Sequence, residues 1–310
     1  MRIVFMGSAD LSCPSLEAVC TAGHHVAGVV TQPDRPKGRN LKLSPSPVRL
    51  LAESSGISVL TPEKINTPES VAHLRSLQPD LIVVVAYGQI LKSDILRIPP
   101  LGCLNMHTSL LPKYRGAAPI QRAIANGDPV TGVTAMYMNE RMDAGDIICQ
   151  NEVAIAADDT GGSLHDTLAL EAASLLKQTI ENIRLGQATR RCQIESEVTL
   201  APKLSKSDGR IDWTSPSDKI YNRIRAFNPW PCGYCEVPKG SGVLLRVLKA
   251  RVENAAGATG QVLDVAGDGP LVACGRGGVR LIQVQPAGRK VMSGSDYLRG
   301  YGIKVGDMAG

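Results

Sequence analysis

Long hydrophobic runs are missing from this chain of 310 residues. The longest purely aliphatic run, residues 81–86, is far too short to cross a bilayer. Residues 1–7 lack the long apolar region of a signal peptide and predict a first buried strand instead. With 43% apolar and 20% charged residues, the composition is typical of a globular protein. These features argue against a membrane protein, and we expect a cytoplasmic monomer without a membrane partner.

Dense cysteine pairing is also missing. The eight cysteines are scattered through the chain, which is unlike the disulfide framework of a small secreted domain. Cys232 and Cys235 form a lone CxxC, but a zinc site needs two further ligands at fitting spacing, and the sequence offers none. We therefore expect reduced thiols and no metal.

The glycine-rich fingerprint of dinucleotide-binding proteins is absent as well. Gly7 and Ser8 follow the first predicted strand, where doubly wound proteins often bind phosphate, but the Gly-x-Gly-x-x-Gly pattern is incomplete. A tight turn near the active crevice is the better interpretation, and a dinucleotide cofactor is not expected.

Strand-like and helical patterns alternate through the first part of the chain. This alternation predicts an α/β fold, a doubly wound and mostly parallel sheet with helices on both sides. The predicted strands are 3–6, 25–31, 57–60, 81–86, 103–107, 132–138 and 147–155, and the predicted helices are 14–22, 47–54, 69–76 and a long one after 158–160.

The last third of the chain has a different pattern. A helix at 217–226 precedes strand-like runs separated by glycines, which predict a smaller antiparallel β-barrel. Residues 201–310 carry 16 Lys and Arg against 9 Asp and Glu, whereas residues 1–200 carry 18 against 20. A basic third attached to a near-neutral body suggests a polyanionic partner, although a solubilising surface explains the charge equally well.

Three polar residues point to acyl-type transfer. Asn105 and His107 are two apart on a predicted strand, so their side chains project from the same face. An amide there can polarise a carbonyl, an imidazole can handle a proton, and a carboxylate from the loop at 141–146 can orient the imidazole. Asp143 and Asp146 are both candidates for that carboxylate. An isolated Asn-x-His is more often structural, so the case for a catalytic role depends on the surrounding segments.

Those segments carry a specific resemblance. Asn-x-His at 105–107, the apolar bend 109–112 with the basic turn 115–121, and Met-Asp-x-Gly-Asp at 142–146 resemble the formyltransferases that use 10-formyltetrahydrofolate. Segments 31–39, 204–213 and 224–231 resemble the members of that family that act on aminoacylated initiator tRNA. The similarity runs from about residue 2 to residue 298. Thr108 and Arg141 depart from it, since the family usually has glycine at both positions.

The resemblance implies roles for individual residues. It makes Asn105, His107 and Asp143 catalytic, and it favours Asp143 over Asp146. It implies that 10-formyltetrahydrofolate is the formyl donor and that the apolar bend contacts it through Ser109, Leu110, Leu111 and Pro112. We expect the bend to wall a flat aromatic ligand and to leave backbone groups free for it.

The resemblance also implies that the chain is divided into domains with different functions. It predicts a catalytic domain at 1–186, a linker at 187–206, and a barrel of the oligonucleotide-binding type at 207–310 that binds tRNA. The acceptor implied is the α-amino group of the methionine on initiator tRNA, for translation initiation.

The loop 32–46 is a second candidate tRNA contact. It places Arg35, Lys37, Arg39 and Lys42 among prolines, without apolar periodicity. Each such cation can neutralise one phosphate, and Arg39 is the best single candidate. A surface loop without function is the alternative.

Other functions compete with this one. Related formyltransferases act on a ribonucleotide amine or a sugar-nucleotide amine, and a hydrolase uses the same folate. The basic C-terminal third argues against the first of these, and the segments at 31–39 and 224–231 favour tRNA over the second. A tRNA-binding module with a degenerate catalytic fold is the alternative of another class. Trp230 could stack on a base, but we expect it to pack at a domain junction.

Overall fold

The computed structural model describes residues 1–37 and 42–310. They form two compact units. The first comprises Met1–Pro119, Val130–Ala154 and His165–Ala201, and the second Ile120–Pro129, Ile155–Leu164 and Pro202–Gly310. In this described part of the chain, no helix combines the length and apolar character that a membrane crossing requires.

The helices follow local signals in the sequence. α2 and α3 each begin with a proline directly after a Ser or Thr cap, and the hydroxyls of Ser46 and Thr67 accept from backbone N–H groups of the first turn. The helices are α1 (Cys13–Thr21), α2 (Pro47–Ser54), α3 (Pro68–Ser76), α4 (Ser93–Leu96), α5 (Pro119–Asn126), α6 (Gly161–Arg184), α7 (Ser217–Ala226) and α8 (Gly294–Tyr301).

Eleven strands are described in the first unit. They are β1 (Arg2–Gly7), β2 (His25–Val30), β3 (Arg35–Lys37), β4 (Lys42–Ser44), β5 (Val59–Leu60), β6 (Leu81–Val85), β7 (Cys103–His107), β8 (Arg115–Gly116), β9 (Val130–Tyr137), β10 (Ile147–Ala154) and β11 (Leu200–Ala201). Seven of them form one sheet in the order β10-β9-β7-β6-β1-β2-β5.

This sheet is mostly parallel, as predicted. The five strands from β5 to β7 run parallel, and β9 and β10 are added antiparallel at one side. Every residue of β6 is buried, and so are residues 3–7 of β1. Successive side chains on a strand point to opposite faces, so the centre of the sheet is covered on both sides. β7, which carries Asn105 and His107, lies where the parallel strands meet the antiparallel ones.

The second unit is an antiparallel β domain, also as predicted. Its strands are β12 (Gly233–Glu236), β13 (Leu244–Glu253), β14 (Val262–Asp264), β15 (Leu271–Ala273), β16 (Gly278–Pro286) and β17 (Met292–Ser293). They pair in the order β12-β13-β16-β15-β14, with β17 beside β16. Residues 307–310 then bond to both edges: Gly310 exchanges two hydrogen bonds with Glu236, and Val262 N–H donates to the Asp307 carbonyl. The tail thereby joins β12 to β14 and closes the barrel.

Two segments differ from the sequence-based expectation. The loop 32–46 is not wholly irregular, because β3 and β4 pair as a short antiparallel ribbon. Residues 187–201, within the predicted linker, group with the first unit, where β11 pairs with β8 and Arg191 bridges to Ile147. The division of function between the two units stays a prediction.

Candidate active site

Strand β7 places Asn105 and His107 side by side near its carboxyl end, where open α/β sheets bind ligands. Asn105 lies between Val84 of β6 and Met136 of β9. The two residues are 9% and 7% exposed, respectively. In the described part of the chain, no hydrogen bond reaches the Asn105 amide, which leaves its donors available to a ligand.

The His107 ring is oriented from both sides. Nε2 lies 2.9 Å from the carbonyl oxygen of Tyr114, and because a carbonyl only accepts, Nε2 carries the proton. Nδ1 lies 3.7 Å from Oδ1 of Asp143, a distance that is long for a hydrogen bond but within the range of an ion pair when the ring is protonated. The ring therefore presents Nδ1 as the nitrogen that can exchange a proton at the site.

Asp143 reaches the site from the loop between β9 and β10. Its Oδ2 accepts a 2.8 Å hydrogen bond from the backbone N–H of Gly116, which fixes the carboxylate beside the imidazole. Gly116 has φ of +127°, and a Cβ there would meet the Ala201 carbonyl oxygen at 2.5 Å, so this donor position requires glycine. The Asp146 carboxylate instead bonds the Cys192 thiol and raises its pKa. Of the two candidate carboxylates, the structure brings Asp143 next to His107.

The apolar bend 109–112 follows β7 directly. Ser109 and Leu111 are buried, while Leu110 and Pro112 are partly exposed. Several backbone groups that we expected to be free are paired instead. Leu111 N–H donates to Thr134 Oγ1, and the carbonyls of Ser109, Leu110 and Leu111 accept from Thr134, Lys113 and Gln150. The chain uses these groups to hold the bend, so its accessible surface consists largely of Leu110 and Pro112.

Both ends of the chain match known families of formyl transferases. Residues 1–180 match the formyl transferase family, and residues 203–302 match the formyl transferase C-terminal domain. The methionyl-tRNA formyltransferase of Moorella thermoacetica is 46% identical over 312 residues, covering 100% of this chain and 99% of the relative. The enzyme of the same name from Geobacter metallireducens is 44% identical over 306 residues, covering 99% and 97%. The chain belongs to the methionyl-tRNA formyltransferase family.

The fold is shared more widely than the family. WlaRD, a sugar 3N-formyl transferase solved in the presence of dTDP and 5-N-formyl-THF, superposes with a TM-score of 0.67. The match covers 94% of this chain and 99% of that one, at 19% identity. This likeness concerns the fold alone.

Two residues that depart from the family pattern fit their positions. Thr108 is buried directly after His107. Arg141, which stands where the methionyl-tRNA formyltransferase family usually has glycine, does not adopt a positive φ. The left-handed residue of this loop is Asp143, with φ of +51°, a conformation that Asp tolerates better than most residues. Arg141 is exposed and pairs with Glu195 at 3.1 Å.

The predicted tRNA contacts are placed only in part. Arg35 on β3 is exposed and forms a 2.8 Å ion pair with Glu63, which neutralises part of its charge. Lys37 and Lys42 pair across the ribbon of β3 and β4. Arg39 lies outside the described residues.

Two expectations for the second unit have different outcomes. Trp230 is 51% exposed within a unit whose Phe227 is fully buried, so the prediction that Trp230 packs is wrong. Phe227 is the aromatic anchor of this segment instead. Cys232 and Cys235 are both buried free thiols, and burial raises the pKa of Cys235 to about 12. Within the described ranges, no group of three or more His, Cys, Asp or Glu side chains could hold a metal ion.

Sequence reasoning missed the residues that support the site. Thr134 and Gln150 hold the apolar bend, Gln193 binds the Asp143 loop, and Arg115 binds Gln193. These residues lie 16 to 78 positions from their partners, and no short-range pattern marks them. Strand pairing alone could have indicated Thr134, because it lies opposite His107 across β7 and β9.

Proposed function

We propose that this protein transfers the formyl group of 10-formyltetrahydrofolate to the α-amino group of methionine on initiator tRNA. Similarity to methionyl-tRNA formyltransferases over both units supports this activity. The chemical observation that supports it most directly is the group formed by Asn105, His107 and Asp143. It combines a free amide donor, an oriented imidazole and a fixed carboxylate at one strand end.

The proposed roles follow from this geometry. The amine nitrogen attacks the formyl carbon, a C–N bond forms, and the carbonyl oxygen becomes negatively charged. The Asn105 amide donates a hydrogen bond to that oxygen. Nδ1 of His107, adjacent to Asp143, takes part in moving the proton from the amine to the departing folate nitrogen as the old C–N bond breaks. The Asp143 carboxylate stabilises the imidazole while it carries charge.

The apolar bend fits a flat aromatic donor through contact with its accessible side chains. Leu110 and Pro112 are partly exposed within five residues of His107, so a ring seated on them would hold the formyl group near Asn105. Their neighbours Ser109 and Leu111 support this surface from below, because both are buried.

The basic second unit and the ribbon of β3 and β4 supply charge for tRNA in this proposal. The barrel carries most of the excess Lys and Arg, and Trp230 is exposed on it, as a base-stacking residue must be. The 1–186 and 207–310 division of function, the tRNA contacts of Arg35, Lys37, Arg39 and Lys42, the monomeric state and the cytoplasmic location belong to this proposal as well.

The test is mass spectrometry of the aminoacyl group on methionyl-initiator tRNA after incubation with the protein and 10-formyltetrahydrofolate. We expect a formylated methionine. Parallel reactions contain an amino-sugar nucleotide as acceptor or no acceptor at all. Formylation of the sugar amine alone, or folate turnover that does not depend on tRNA, would contradict the proposal.

A further inference from the structure

A short segment after α6 runs along the edge of the candidate site. We call residues 191–195 the strap. Arg191 exchanges two backbone hydrogen bonds with Ile147 at the start of β10, at 2.9 and 2.8 Å. Two positions later, Gln193 lies against the Asp143 loop, and Glu195 pairs with Arg115 and Arg141. The strap is therefore attached to the loop that carries Asp143, although about 50 residues separate them in sequence.

Gln193 uses both ends of its amide. Nε2 donates to the carbonyl oxygens of Asp143 and Gly145, both at 2.8 Å. Oε1 accepts from the Arg115 guanidinium, at 3.0 Å from Nε and 2.8 Å from Nη2. Arg115 is buried and precedes Gly116, whose N–H holds the Asp143 carboxylate. One side chain thus joins the backbone of Asp143 to the segment that binds its carboxylate.

The Asp143 loop needs such support. Asp143 has a left-handed backbone, which costs free energy unless the surroundings hold it. Gly145 is fixed as well, because a Cβ there would meet the Tyr137 carbonyl oxygen at 1.6 Å. The two carbonyl groups that Gln193 binds, those of Asp143 and Gly145, lie in the chain on either side of this close approach of Gly145 to Tyr137. Loss of their donor would release the Asp143 backbone while leaving its carboxylate on a single hydrogen bond.

We propose that Gln193 is a positioning residue that sets the distance between the Asp143 carboxylate and His107. This inference rests on the proposed function, because it assigns Gln193 to the same reaction. An amide is required, since it alone both accepts from the guanidinium and donates to two carbonyls. Glutamate keeps the contact with Arg115 but loses both donors, and methionine keeps the approximate length of the side chain but loses every hydrogen bond.

The kinetic test compares Gln193→Glu, Gln193→Met and the control Gln187→Met with the unsubstituted protein. Gln187 is exposed on the same connecting segment and lies outside the site. Single-turnover rates of formyl transfer are measured with enzyme in excess over charged tRNA, so the rates do not depend on the folded fraction. Both Gln193 variants should lose about tenfold to hundredfold in rate, the range expected for a slightly misplaced catalytic group. The KM for tRNA and for the folate should change less than twofold.

A double-substitution cycle separates positioning from general structural support. Against an Asp143→Ala background, Gln193→Glu should change the rate less than twofold, because the group that it positions is gone. An undiminished effect in that background, or equal rates for the Gln193 variants and the unsubstituted protein, would overturn the inference. Absence of formyl transfer by the unsubstituted protein would contradict the proposed function instead, so the two failures are distinguishable.

Discussion

Two buried polar side chains, one in each unit, are bonded in opposite ways. In the second unit, Arg280 on β16 is 8% exposed, and all five of its N–H groups are bonded: to Glu253, to Asp264 and to the carbonyls of Ala266 and Gly269. In the first unit, Asn105 is similarly buried, but no hydrogen bond reaches its amide in the described structure.

This difference separates stability from function. A buried cation with all its donors satisfied fixes one arrangement of strands and leaves nothing for a ligand. An amide that the protein leaves unpaired beside a site keeps its donors for a ligand that can accept the hydrogen bond. The left-handed Asp143 and Tyr114 beside His107 fit the same interpretation, because strained residues persist where a site requires them. We therefore expect substitutions in the catalytic cluster, Asn105, His107 and Asp143, to change mainly the rate of formyl transfer. Substitutions in the Arg280 cluster, Arg280 with Glu253 and Asp264, should change mainly the stability of the second unit.

The largest effect should follow removal of the catalytic side chains. Asn105→Ala should lower the rate of formyl transfer by about 10²–10³, the usual loss for one oxyanion donor. His107→Ala should lower it by about 10²–10⁴, the usual contribution of a general acid–base group. The free energy of unfolding should change little for Asn105→Ala, and it should fall modestly for His107→Ala, which removes a buried ring and its hydrogen bond to the Tyr114 carbonyl. Steady-state kinetics and urea unfolding measure the two quantities. His73→Ala, an exposed histidine on α3, is the control. A similar loss of tRNA affinity would make Asn105 and His107 binding residues instead.

The converse substitution is Arg280→Met in the barrel. It should lower the free energy of unfolding of the second unit by about 3 kcal/mol, the low end for a broken buried ion pair, since the carboxylates keep some contact with water. Both tryptophans, Trp213 and Trp230, belong to this unit, so their fluorescence in urea reports its unfolding. Arg276→Met, at an exposed position, should have little effect. If Arg280→Met lowered the catalytic rate without changing the folded fraction, the proposed separation between residues for catalysis and residues for stability would be wrong.

The same cluster should make the barrel sensitive to acid. The hydrogen bond from Arg280 holds the pKa of Glu253 below its usual value of about 4.3. A depressed carboxyl pKa stabilises the folded state above the unfolded pKa, and this stabilisation is lost as the pH falls through the folded value. Glu253→Gln should therefore weaken the barrel at pH 7 and lose less stability than the unsubstituted protein as the pH falls from about 5 to below the lowered pKa of Glu253. Asp218→Asn, on an exposed pair, should follow the unsubstituted protein.

The two clusters also differ in how far the sequence predicts them. Asn105, His107 and the carboxylate were predictable because strand periodicity places two of them on one face and resemblance selects the third. The strands that contain Glu253, Asp264 and Arg280 were predictable too, yet their pairing was not, because it depends on register between β13, β14 and β16. Gln193 and Gln150 were missed for the same reason. Sequence patterns report local periodicity, whereas these contacts form only when distant segments meet.

A smaller effect should separate folate positioning from chemistry within the first unit. Gln150 donates to the Leu111 carbonyl and to Thr134 Oγ1, both at 2.9 Å, so it stabilises the apolar bend without touching His107. Gln150→Met should raise the KM for 10-formyltetrahydrofolate about fivefold, equivalent to about one hydrogen bond of 1 kcal/mol, at nearly constant kcat. Steady-state kinetics with the folate varied test this. A fall in kcat at constant KM would place Gln150 with Gln193, in support of Asp143.

The smallest effect should come from exposed charged residues, which belong to neither cluster. If Arg39 contacts one tRNA phosphate, Arg39→Ala should raise the KM for tRNA modestly at low salt and reduce the slope of log affinity against log salt by about one. Arg35→Ala should change the slope less, because the Arg35 guanidinium already pairs with Glu63. Affinity measured between 50 and about 200 mM salt tests both, with the exposed Arg75→Ala as control. Equal slopes for Arg39→Ala and the control would exclude Arg39 as a contact to the tRNA backbone. The phosphate contacts would then have to come from other residues, such as those of the basic second unit, where the excess of Lys and Arg is larger.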